Sequence, residues 1–115
     1  MEIIYYGATL SSELLAVKAR LTGIKSMLAA IKGREGYAAG LQLRLGGVTN
    51  IVLENESKVW MRRRVGEQIL KDLHDALDVA SRVLEGGEPT LEKFEAALRD
   101  VERRAVKIED ESRRY

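Results

Sequence analysis

The chain has 115 residues, 45% of them hydrophobic and 32% charged, with a formal net charge of +1 and no cysteine. That length suits one folded domain with a real core and is too short for two of ordinary size, and the composition is that of a helix-rich folded protein rather than a disordered one. Apolar runs are a few residues long, far below the roughly 20 that cross a bilayer, and the first residues lack the pattern of a secretory signal, so a cytoplasmic location without membrane contact is expected.

Met1 to Tyr6 is β-branched and aromatic and is closed by Gly7, which predicts a short strand over 1–6. Thr9, Ser11 and Ser12 then offer N-caps. Leu10, Leu14, Val17, Leu21, Ile24, Leu28 and Ile31 follow at alternating steps of four and three, predicting a helix over 10–32 with a narrow apolar seam and a stop at Lys32-Gly33. Beyond Gly40 the period changes to two. Leu41, Leu43 and Leu45 alternate with Gln42 and Arg44, Gly46-Gly47 supplies a turn, and Val48 to Leu53 is a second β-rich run. A β-hairpin over 41–53 is expected, with the N-terminal strand as its candidate third strand.

Asn55 and Ser57 are candidate caps for a helix over 57–85, whose apolar stripe (Val65, Ile69, Leu70, Leu73, Leu77, Leu84) is wide enough to touch more than one neighbour. Glycines 86 and 87 end it. Pro89 and Thr90 open a last helix over 90–112, and Leu91, Phe94, Leu98, Val101, Ala105 and Ile108 give it a second narrow seam. The expected fold is therefore α+β and mainly α. It is a single domain over 1–115, with three long helices bundled and the hairpin between the first two. A narrow seam must be covered by another helix, so Leu14, Leu21, Leu28, Leu91, Leu98 and Val101 are candidate self-association residues and a homodimer is expected. The layout is similar to the plan of small accessory proteins of phages and mobile elements, a likeness of arrangement without a shared motif.

Constellations that carry chemistry are scarce. His74 is the sole histidine; Asp78 shares its helix face, but a metal would need further ligands, and the bland reading is an acidic, solvated face. The turns Gly33-Arg34-Glu35-Gly36 and Gly46-Gly47 lack the spacing of a phosphate-binding loop. No catalytic residue, metal site or cofactor is expected, and an enzyme is not. The best local candidate is the run Lys58-Val59-Trp60-Met61-Arg62-Arg63-Arg64. Three consecutive arginines are spread over about 200° of a helix and cannot all meet one neighbouring acid, while Trp with Arg is the composition of interface hot spots and of stacking on single strands. Its alternative is a core Trp60 with arginines paired to Glu54, Glu56 and Glu67. The expected function is that of a non-enzymatic interaction protein which binds an unidentified protein through Trp60, Arg62, Arg63, Arg64 and Lys58. A nucleic-acid-binding module using Arg62 to Arg64 is the alternative, weakened by ten acids against four bases between Val65 and Glu102.

Overall fold

Apolar residues three and four apart do most to determine the architecture. In a computed structural model, which describes the backbone of residues 2–86 and 90–114 and side chains from Ser12 onward, the chain forms four helices: α1 (Glu2–Ala29), α2 (Glu35–Asn55), α3 (Arg64–Glu85) and α4 (Leu91–Ser112). A 3-10 turn, Val59–Arg62, lies between α2 and α3. The described residues contain no strand, which corrects the expected α+β class to an all-helical bundle of four rather than three helices.

The predicted hairpin over 41–53 lies inside α2. Its leucine alternation is a coincidence laid over a helical seam: Ala38, Leu41, Leu45, Val48, Val52 and Asn55 are buried at steps of three and four, whereas Leu43, the middle leucine, is 80% exposed. Gly46 and Gly47 make no turn and sit within the helix, each at about 1 kcal/mol relative to alanine, a cost the buried seam offsets. Once 41–53 is helical, a strand over 1–6 has no ladder to join, and residues 2–6 belong to α1. Met1 lies outside the described residues, as does Pro89. The helix predicted over 57–85 is split, with the 3-10 turn before α3, and α1 ends three residues earlier than expected. Thr90 stands at the N-cap of α4, though its side chain makes no capping bond.

Helix α1 packs on α2 and α3, and α4 packs on the same two, so α1 and α4 face each other across one diagonal and α2 and α3 across the other. Short loops make α1–α2 and α3–α4 antiparallel hairpins. In the first loop Gly33 has φ +87°, a left-handed value that suits glycine, and its N–H donates to Glu35 Oε1 at 2.6 Å. The longer connection from α2 to α3 crosses the end of the bundle. Consequently α2 and α4 run parallel, a direction recorded by side-chain bonds 58 residues apart along the chain at both Tyr37–Glu95 and Arg44–Glu102.

All four helices share one core, in which Val17, Ile24, Leu70, Leu73, Leu77, Phe94, Leu98 and Val101 are fully buried. The crossing segment closes its end by inserting Trp60 and Met61. Gly66 on the first turn of α3 makes that closure feasible: a Cβ there would lie 2.5 Å from Met61 Cα and 2.6 Å from its carbonyl oxygen. Gly66→Ala is expected to cost about 1–3 kcal/mol, the range for overpacking. Gly23→Ala, in open space on α1, is expected to gain up to about 1 kcal/mol. Opposite shifts of the urea midpoint in the two variants would confirm this assignment.

Candidate interaction surface

The structure separates the predicted Trp-Arg cluster. Trp60 is 2% exposed and belongs to the core, where its indole Nε1 has no hydrogen-bond partner. Lys58 donates to Ser112 Oγ at 2.7 Å, tying the crossing segment to the end of α4. Arg62, Arg63 and Arg64 are exposed, and Arg63 is the N-cap residue of α3. Among the described residues Arg62 and Arg64 form no ion pair, and Glu56, one of the expected partners, is taken by Lys18. Two arginines elsewhere on the surface serve the fold. Arg20 holds Asp78 at 2.9 Å, and Arg34 holds Glu92 at 2.6 Å.

The seam residues Leu21, Leu28, Leu91, Leu98 and Val101 are buried against other helices of the same chain, and Leu14 is half-buried. The five buried ones have no face left for a second chain. Around His74, the Asp78 carboxylate is shared by Arg20 and Arg82, and Asp72 accepts from Gln68 Nε2 at 3.1 Å. The described residues hold no group of three or more histidine and acidic side chains arranged to take a metal.

Arg44, not among the predicted site residues, organises the contact between α2 and α4. Its Nε and Nη2 donate to the two oxygens of Glu102 at 3.2 and 2.6 Å, and Nη1 donates to Glu95 at 2.8 Å. The Tyr37 hydroxyl donates to the other oxygen of Glu95 at 2.5 Å, and Arg34 stacks over the Tyr37 ring. The Tyr37 hydrogen bond is the largest influence holding the Glu95 carboxyl below its usual range, with Arg44 adding to it. Arg34 does the same for Glu92. Arg44 is also the one charge between Gly36 and Leu53, and a lone charge in so apolar a run needs a fixed partner.

With Arg44 turned inward, the solvent side of α2 carries no charge from Gly36 to Leu53: Gly36, Ala39, Gly40, Leu43, Gly47, Asn50 and Leu53 are exposed. Alongside it, α1 exposes Leu15, Ala19, Thr22, Gly23 and Ser26, with Lys25 among them. A groove of about 330 Å³ runs between the two helices, floored by Leu21, Leu45 and Val52 and edged by Lys18 and Lys25. The outer sides of α3 and α4 are different in kind, bearing Lys71, Asp75, Arg82, Glu92, Lys93, Arg99, Arg103 and Lys107. Among the described residues the outer sides of α3 and α4 are thus charged, whereas the solvent side of α2 is not between Gly36 and Leu53. No described helix is long and apolar enough to cross a membrane.

Comparison with protein-family models, with curated proteins and with solved structures found no match. The α2–α4 network has a pH signature of its own. Carboxylates with lowered folded values contribute stability that is complete above the ordinary glutamate value of about 4.3 and is lost as pH falls through the folded value. Tyr37→Phe removes the main influence on Glu95, so it is expected to be less stable than the parent at pH 7 and to converge with it near about pH 2. Urea midpoints at the two pH values check this, and an equal gap at both would assign Tyr37 a packing role only.

Proposed function

We propose that this chain is a non-catalytic interaction protein that docks through the outer face of the α1–α2 hairpin. The observation that carries this reading is the uncharged run on α2 with Leu43 80% exposed and Leu53 46% exposed at its centre and end, beside an open apolar groove. An isolated exposed leucine is ordinary on a protein surface. Two on one uncharged helix side, with Gly47 and Asn50 exposed between them and Leu15 exposed on the neighbouring helix, make a surface of the kind that marks an interaction site. The docking face differs from the one expected around Trp60, because a buried indole has no surface to offer a partner.

Testing this reading requires a reporter on the face itself. A photo-crosslinking residue at position 43, in cells expressing the chain, is expected to give a product heavier than one chain, while the same reporter at position 106, on the outer side of α4, gives none. Absence of any product from position 43 would overturn the reading.

A second reading keeps the basic cluster. Arg62 and Arg64 are exposed and have no ion pair among the described residues, which supports contact with a polyanion at the crossing end of the bundle. It predicts that the chain retards mixed DNA or RNA at low salt and that Arg62→Ala with Arg64→Ala removes the retardation. An unshifted probe at low salt would eliminate it.

A further inference from the structure

We infer that the occupant of the α1–α2 face is a second copy of this chain, with α2 crossing α2 of the copy antiparallel about a two-fold axis between Leu43 and Gly47. This rests on the docking reading above and names its partner. The first support is the order of large and small residues along the exposed side of α2. An antiparallel pairing centred on position 45 places Leu43 of each copy over Gly47 of the other, Gly40 opposite Asn50, and Leu53 beside Gly36. Each protruding leucine meets a glycine. Gly47 has nothing within 4 Å of its missing Cβ, so the hole is open to receive a side chain from outside.

Charge is the second support. Lys32 precedes α2, whereas Glu54 lies in its last turn, so an antiparallel copy brings each basic start beside an acidic end; Arg34 and Glu56, at the same two ends, are already held by Glu92 and Lys18. Glu35, the acid at the basic end, is already engaged by the Gly33 N–H. A parallel pairing would instead stack like charges at both ends and align the two helix dipoles. Between the ends a copy meets no charge on α2, and Lys25 of α1 stands at the rim.

Area is the third. The 21 residues of α2 make a helix about 32 Å long, and with α1 at about 10 Å spacing the face offers roughly 600–800 Å². A stable interface takes about 800 Å² from each partner. The hairpin face therefore matches what a dimer of such chains requires, without help from the charged outer sides of α3 and α4.

Analytical ultracentrifugation of the full chain at about 100 µM, where a dimer of micromolar Kd is nearly complete, is expected to give twice the mass of one chain. Leu43→Glu and Gly47→Leu are each expected to halve that mass with helical circular dichroism unchanged, while Val79→Glu on the outer side of α3 leaves it alone. The decisive variant exchanges knob and hole: Leu43→Gly with Gly47→Leu restores the dimer if the pairing is antiparallel and centred as described. A monomeric parent chain, a dimer indifferent to Leu43→Glu, or a failure of the exchanged variant to restore it would each overturn the inference. A monomeric parent that still crosslinks a different protein at position 43 overturns the second copy and leaves the docking reading standing, whereas a monomer with no crosslinked product removes both.

Discussion

The crossing of the bundle end between Asn55 and Arg64 is the constraint on which the remaining geometry depends. Helices joined by short loops settle as antiparallel neighbours, but here the longer connection carries the chain to the opposite corner, so that α3 lies beside α1 and α4 beside α2, each running in the same direction as its neighbour. A segment that spans a bundle end must also cover it, since open core there would be wet. Trp60 and Met61 supply the apolar volume, and the close approach of Met61 to Gly66 brings the turn down onto the first turn of α3. The indole N–H is left buried without a partner, a cost the packing of so large a ring exceeds.

Parallel neighbours carry an electrostatic consequence. Helix dipoles aligned side by side repel, whereas antiparallel ones attract. The ion pairs between helices are found at the parallel contacts: Arg20 with Asp78 between α1 and α3, and Arg44 with Glu95 and Glu102 between α2 and α4. The antiparallel contacts carry bonds to backbone carbonyls, from Gln42 to Lys25 and from Arg104 to Asp72, and one ion pair at their edge, Lys18 of α1 with Glu56 just past the end of α2. Partly exposed pairs of this sort add little stability individually. Their weight lies in register. A bidentate Arg44 on Glu102, with its third nitrogen on Glu95, fits one longitudinal setting of α2 against α4, and a shift by one turn would break this three-bond arrangement.

Much of this was legible where one signal spoke alone. The seam from Leu91 to Ile108 gave α4 within a residue of its observed start, and the four-three spacing gave α1 from Leu10 onward. Residues 41–53 failed because two signals competed. Leucine alternation, a glycine pair and β-branched residues all favour a hairpin, and the rival spacing of Ala38, Leu41, Leu45, Val48 and Val52 decided the matter only through burial that no local window contains. Trp60 stayed open between core and surface for a related reason: its exposure depends on a tertiary crossing. Arg44 was readable in principle, as a single charge in 18 otherwise uncharged residues, but that signal becomes visible only once the segment is taken as a helix.

The glycines of the first hairpin carry the asymmetry one step further. Gly23, Gly36, Gly40, Gly46 and Gly47 are helical, and an added Cβ at any of them meets nothing within 4 Å. Each costs about 1 kcal/mol relative to alanine in a helix interior, and their sum is a sizeable part of the roughly 5–15 kcal/mol by which a domain is stable. Gly66 and Gly33 are different, since close approach and a positive φ require them within the chain. For the other five the folded monomer offers no compensating contact, and all five lie in the hairpin whose α2 exposes no charge between Gly36 and Leu53. A glycine on a helix surface has one packing virtue, which is to let another body come within reach of the backbone. The sites where this chain is least stable by its own means are thus on the face best shaped to be covered, and covering that face would return part of what α2 gives up in remaining helical.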